Sequence, residues 1–122
     1  MNEPIRVIVV DDDFMIAKLH GNFISAQKGC HLVGTAHSYA EAMKLMNTAA
    51  PDLLLLDIYL PDRSGIELLQ TIRLENWRCD FILITAAKEL EMVEEGFRFG
   101  VIDYLIKPFN LTQLQSAIQK YV

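Results

Sequence analysis

The sequence predicts an α/β fold, a doubly wound (βα)5 sandwich around a five-stranded parallel sheet of order 2-1-3-4-5. Three observations predict it. Five short apolar runs, rich in leucine or β-branched residues, are spaced through the 122 residues. Between them lie stretches whose apolar residues recur at helical spacing. Most of the runs end in a polar residue of chemical interest, where open α/β sheets carry their ligand crevice. Strands alternating with helices call for a parallel sheet covered on both faces by right-handed crossovers.

The elements follow in order. Ile5-Arg6-Val7-Ile8-Val9-Val10 is nearly all apolar and reads as a buried strand that stops at Asp11-Asp12-Asp13. Ile16, Leu19, Phe23 and Ala26 then share one helical face. Asp12 or Asp13 can cap the start of that helix, and Lys28-Gly29 can end it. The second strand, 31–36, is more polar and suits a sheet edge. Ser38-Tyr39-Ala40-Glu41 has capping-box form, and Ala42, Leu45, Met46 and Ala49 give the helix after it an apolar face. Pro51 ends that helix.

Leu53-Leu54-Leu55-Leu56 then runs unbroken into Asp57, the pattern of a strand buried on both faces. Ser64-Gly65-Ile66-Glu67 is a second capping box, and Ile66, Leu69 and Ile72 carry its helix inward. Phe81-Ile82-Leu83-Ile84 is a fourth strand ending at Thr85. Leu90, Val93 and Phe97 mark a fourth helix, with those three side chains assigned to the core and Gly100 closing it. The fifth strand, Val101 to Ile106, ends at Lys107-Pro108. Asn110 with Gln113 can cap the last helix, whose inner face is Leu111, Leu114, Ile118 and Tyr121.

Composition narrows the function. A chain of this length fits one domain, and 52% hydrophobic residues is too many for a disordered one. A net charge of −5 argues against a nucleic-acid surface within these residues. No apolar run approaches the roughly 20 residues of a membrane span, and the N-terminus has no signal-peptide pattern. Cys30 and Cys79 are read as reduced thiols, so the expected location is cytoplasmic. His20, His31 and His37 lack ligand spacing and are read as structural or surface residues.

The chemistry collects at the strand ends. The first strand supplies Asp11 and Asp12, the third Asp57, the fourth Thr85 and the fifth Lys107. In the order 2-1-3-4-5 these ends are neighbours along one edge. Three carboxylates crowded there would raise one another's pKa, and a hard cation such as Mg²⁺ relieves the repulsion. Lys107 adds a positive point charge. An aspartate is a competent nucleophile toward phosphorus, and phosphoryl transfer otherwise needs mainly positioning and charge stabilisation. Each residue alone has a plainer reading: Asp11 to Asp13 as helix caps, Thr85 as a strand-end threonine, Lys107 as a solvated lysine. Tyr59, Asp62 and Arg63 are read as a surface loop.

The ordered set strongly resembles the receiver domain of two-component response regulators, over essentially the whole chain. The motifs are Val9-Val10-Asp11-Asp12-Asp13, Asp57-x-x-x-Pro61-x-x-x-Gly65, Thr85-Ala86 and Lys107-Pro108-Phe109, and the spacings of Asp12 to Asp57 and of Thr85 to Lys107 also match. The segments 57–65 and 99–109 look like regulators of citrate and C4-dicarboxylate metabolism. The resemblance implies a flavodoxin-like fold and a phosphoacceptor that is not an enzyme beyond its own phosphorylation and dephosphorylation. Asp57 would accept a phosphoryl group from a sensor histidine kinase. Asp12 and Asp57 would ligate Mg²⁺ directly, Asp11 largely through water, with the backbone carbonyl of Tyr59 as a further ligand. Thr85 and Lys107 would contact the phosphoryl group, and Tyr104 would swing inward as Thr85 moves. The Lys107-Pro108 bond would be cis. The surface of the fourth helix, fifth strand and fifth helix would then change its partner preference, homodimerisation included. Such regulators normally carry a C-terminal DNA-binding domain for transcription regulation, absent from residues 1–122. Tyr59 and Ala87, at positions that tune acyl-phosphate lifetime, leave that lifetime open.

Three other readings compete. A stand-alone receiver would act by protein docking. An aspartate-nucleophile phosphohydrolase of the haloacid dehalogenase type needs a general-acid Asp two residues after the nucleophile, where this chain has Tyr59. A flavodoxin-like cofactor binder needs a phosphate-cradling loop after the first strand, where three aspartates would repel the phosphate.

Overall fold

The computed structural model describes residues 3–86, 94 and 97–121. Five parallel strands, β1 (Ile5–Val10), β2 (Cys30–Ala36), β3 (Leu53–Asp57), β4 (Asp80–Thr85) and β5 (Val101–Ile106), form one sheet in the order β2-β1-β3-β4-β5. Among the described residues the helices are α1 (Phe14–Ser25), α2 (Tyr39–Ala49), α3 (Gly65–Leu74) and a C-terminal helix (Leu111–Tyr121). The expected sheet order is the observed one, and the polar second strand lies at an edge.

The leucine run owes its length to burial on both faces. Successive side chains of a strand point to opposite sides. Leu54 and Leu56 join Ala42, Met46, Leu69 and Ile72 in the layer under α2 and α3. Leu53 and Leu55 join Ala17, Ile24, Leu114 and Ile118 in the layer under α1 and the C-terminal helix. All four leucines are buried, so neither side of β3 tolerates a polar residue until Asp57.

The caps place the helix starts. Asp13, rather than Asp12, caps α1, its carboxylate accepting from the Met15 and Ile16 N–H groups at 2.9 and 3.1 Å. Asp13→Ala is expected to cost about 1 kcal/mol in urea unfolding. Ser38 Oγ accepts from the Glu41 N–H, and the Glu41 carboxylate reaches back to the His37 N–H. Ser64 Oγ accepts from the Ile66 N–H. Asn110 and Gln113 close a reciprocal box, with bonds of 2.9 and 2.8 Å.

Several expectations shift in detail. The helix α1 ends at Ser25, before Lys28-Gly29, and Gly29 instead turns the chain into β2 with φ +87°. Its inner face is Ala17, His20, Gly21 and Ile24, while Leu19 is exposed. The face is rotated because small residues at 17 and 21 let the helix approach the sheet. Ala50, in the left-handed region, ends α2 one residue before Pro51. Leu111 is exposed, and Leu114, Ala117 and Ile118 carry the inner face of the C-terminal helix. Leu90 and Val93 lie outside the described residues. Phe97, assigned to the core, is 47% exposed, because its ring meets the edge of Tyr104 on the outer strand rather than the core. Among the described residues no helix is long and apolar enough to cross a membrane.

Candidate functional site

The ends of β1, β3, β4 and β5 converge, as a sheet of this order requires. Asp11 follows the last residue of β1, with 1% of its surface exposed. Its Oδ1 accepts from the Asp13 N–H at 2.9 Å, a bond made by the turn that starts α1. Asp57, the last residue of β3, is 7% exposed. Its Oδ1 accepts from the Tyr59 N–H at 3.1 Å. Asp12 stays exposed beside them.

Lys107 enters from the far edge. Its backbone N–H is held by the Thr85 carbonyl at 2.8 Å, and the Lys107-Pro108 bond that follows is cis, as expected. Lys107 Nζ donates to Asp57 Oδ2 at 2.9 Å and to Asp11 Oδ2 at 3.0 Å. One ammonium therefore bridges two buried carboxylates from different strands. Thr85, also buried, donates its hydroxyl to the Ala86 carbonyl at 3.0 Å. Tyr104 stands on the outside of β5, exposed and edge-on to Phe97 at 6.3 Å between ring centres.

Burial governs the titration here. It pushes the Asp57 carboxyl above its ordinary value, and the nearby Asp11 charge pushes the same way; the Lys107 and Tyr59 bonds oppose without cancelling. Burial pulls the Lys107 ammonium down, but its bonds to Asp57 and Asp11 outweigh that, so it holds its proton more tightly than an ordinary lysine. His20 is buried below them, its ring 4.4 Å from Phe109, and its Nδ1 has no hydrogen-bond partner among the described residues. Burial lowers its pKa, Asp11 opposes, and Lys107 adds to the lowering.

Asp11, Asp12 and Asp57 each offer a carboxylate oxygen, and these oxygens lie within 4.8 Å of one another. Such a set of hard oxygen donors suits a divalent cation that keeps part of its water shell. Four of the strand-end residues singled out in the sequence, Asp11, Asp12, Asp57 and Lys107, are thus brought together, and Thr85 is tied to them through its carbonyl, which accepts from the Lys107 N–H. Tyr59 sits on its rim, with its side chain half exposed and its backbone bridged to Ser64.

The surface-loop reading of Asp62 and Arg63 missed their partners. Asp62 accepts from the Tyr39 and Ala40 N–H groups at the start of α2, and the Arg63 guanidinium lies 4.6 Å above the Tyr39 ring. No local pattern signals this, because the partners are more than 20 residues away. Gly65 has a steric reason that its motif alone does not show. A Cβ there would lie 2.5 Å from the Asp57 carbonyl oxygen, so glycine lets α3 start against the site.

The profile of the response regulator receiver domain matches residues 7–119. The transcriptional regulatory protein MalR of Bacillus subtilis is 40% identical over 117 residues, covering 96% of this chain and 50% of MalR. The "Probable C4-dicarboxylate response regulator DctR" of the same organism is 37% identical over 116 residues, covering 95% and 51%. The transcriptional regulatory protein CitT of Halalkalibacterium halodurans is 36% identical over 124 residues, covering 100% and 54%. The chain therefore spans about half the length of the curated relatives it matches. Among solved structures, a CheY-like response regulator receiver domain protein from Methanospirillum hungatei superimposes with a TM-score of 0.85 at 25% identity, covering 98% of this chain and 94% of that one.

Proposed function

Because the chain belongs to the response regulator receiver domain family, we propose that it is a phosphoacceptor in two-component signalling, with Asp57 as the residue phosphorylated by a sensor histidine kinase. The observation that carries this reading is the Lys107 ammonium bridging Asp57 and Asp11 at the end of a strand buried on both faces. That arrangement keeps a carboxylate out of water, aimed into the crevice, with a cation beside it.

In the proposed reaction a carboxylate oxygen of Asp57 attacks the phosphorus of a phosphohistidine. The O–P bond forms as the P–N bond breaks, and the imidazole leaves with the electron pair. Asp12 and Asp57 would hold Mg²⁺ directly, Asp11 largely through water, with the Tyr59 carbonyl as a further ligand. The bound cation would offset the negative charge that gathers on the phosphoryl oxygens. Lys107 would exchange its bond to the bare carboxylate for one to the phosphoryl group. The Thr85 hydroxyl would turn toward a phosphoryl oxygen, and Tyr104 would move into the space it leaves.

The relatives described as transcriptional regulatory proteins, MalR and CitT, support an output in transcription. DNA binding would then lie in a C-terminal domain of the parent protein, and phosphorylation would favour a homodimer of a cytoplasmic regulator. The domain itself would catalyse only its own phosphorylation and dephosphorylation.

Incubation with Mg²⁺ and acetyl phosphate, followed by intact-mass measurement, tests the reading. A phosphoryl adduct is expected in the wild type, with none in Asp57→Asn and none without Mg²⁺. An adduct of equal yield in Asp57→Asn, or none in the wild type, would overturn it. Rapid multiple turnover of varied phosphate esters would instead favour a phosphohydrolase.

A further inference from the structure

The loop between Asp57 and α3 is held at two places. At its base Tyr59 and Ser64 form an isolated antiparallel bridge. Gly65 packs there against the backbone of Asp57 and Ile58. At its outer end Asp62 reaches across to α2. Asp62 Oδ1 accepts from the Tyr39 N–H at 2.8 Å, and Oδ2 accepts from the Ala40 N–H at 3.1 Å. These belong to the N–H groups that any helix leaves unpaired at its start. The helix's own cap, Ser38, takes a different one, that of Glu41. Arg63 stacks on Tyr39, whose hydroxyl is hydrogen-bonded to Thr71 Oγ1 of α3 at 2.6 Å.

The clamp thus joins three elements. The same loop carries Tyr59, two residues past Asp57, and the Tyr59 N–H already bonds the Asp57 carboxylate. A backbone carbonyl can serve as a metal ligand only if the loop that carries it is held in place. Asp62 is on the surface, yet both its carboxylate oxygens are committed, which a solvated loop aspartate has no need for. Burial is the largest single influence and opposes its ionisation, but the bonds from Tyr39, Ala40 and the loop backbone together outweigh it and hold its pKa below the usual value. The clamp therefore stays ionised throughout the neutral range.

We propose that Asp62 is a positioning residue for the divalent cation, fixing the Tyr59 carbonyl beside Asp57 by tying the outer end of the loop to the start of α2. This inference rests on the Mg²⁺ site proposed above. It concerns a residue that touches neither cation nor phosphoryl group.

The test is a Mg²⁺ titration by calorimetry on the wild type, Asp62→Ala, Asp62→Asn and Ser38→Ala. Ser38→Ala is the decisive control, because it removes a cap from the same helix without releasing the loop. Asp62→Ala is expected to weaken Mg²⁺ binding about tenfold, the scale on which partners of metal ligands act. Asp62→Asn keeps one acceptor and is expected to recover part of the loss. Ser38→Ala is expected to bind as the wild type does. In the acetyl phosphate reaction, Asp62→Ala should raise the half-saturating Mg²⁺ concentration while keeping the rate at saturating Mg²⁺. Unchanged Mg²⁺ affinity in Asp62→Ala would overturn the proposal, as would an equal loss in Ser38→Ala. A wild type that binds no Mg²⁺ would overturn both this inference and the reading beneath it, so the two failures are told apart.

Discussion

Lys107→Met is expected to destabilise the metal-free protein by about 2–3 kcal/mol at neutral pH, measured by urea unfolding. Lys107 Nζ is the shared partner of Asp11 and Asp57, and both carboxylates are buried. Methionine fills the same space but leaves two buried carboxylates facing each other without a cation. Removing one partner of a fully buried ion pair costs about 3–5 kcal/mol, and the value here is lower because the lysine side chain keeps contact with water.

The pH dependence follows from the direction of the shifts. Asp57 has a raised pKa in the folded protein, so its protonated form favours folding and its ionisation costs stability as pH rises through that value. In Lys107→Met the carboxyl loses the bonds that pull it down and should rise further. The deficit of the variant should therefore be full at neutral pH and shrink as pH falls and Asp57 takes up a proton. The Lys107 pKa is also raised, so its own contribution holds throughout that range and is lost only in strong alkali, above roughly pH 10. Millimolar Mg²⁺ should recover part of the loss by supplying positive charge. A deficit that stays constant from neutral to acidic pH would show that packing, not charge, accounts for it.

Gly65→Ala is the second large effect. The added Cβ would sit 2.5 Å from the Asp57 carbonyl oxygen, 2.9 Å from the Ile58 carbonyl oxygen and 3.0 Å from Ile58 Cα. All three are backbone atoms, so relief requires α3 or the end of β3 to move. The expected cost is about 2–3 kcal/mol, the range for overpacking a site that cannot relax. Because the displaced strand end carries Asp57, the rate of phosphoryl adduct formation should fall as well. Gly34→Ala is the contrast: the atoms nearest its Cβ are Leu45 side-chain carbons, two of them at 3.0 Å, and these can rotate away. A loss below about 1 kcal/mol is expected there, with no change in adduct formation. Equal losses in the two variants would refute the steric argument.

The sequence by itself determined the sheet, most of the caps and which polar residues stand at the strand ends. Leu53 to Leu56, a short unbroken apolar run, suits a strand with two buried faces, and Asn110 with Gln113 shows its capping box in four residues. These signals are local: side-chain period, cap chemistry and strand-end polarity are set by neighbours a few positions apart. For the same reason Asp11, Asp12, Asp57, Thr85 and Lys107 could be collected before any coordinates, since a parallel sheet places its strand ends along one edge.

Tertiary structure decided what depends on distance through space. The buried face of α1 lies well round the helix from the one that spacing predicts, with His20 inside and Leu19 outside. Phe97 lies against Tyr104 outside the core, a contact no helical spacing predicts. Lys107 proved to be shared between two carboxylates, where the sequence showed only a positive point charge at the end of the fifth strand. Asp62 found its partners on α2 across more than 20 residues of chain. Periodicity fixes which residues face inward on each element. The rotation of one element against another, and the partner each polar group finds there, come from packing volumes and hydrogen-bond geometry that exist only once the layers have met.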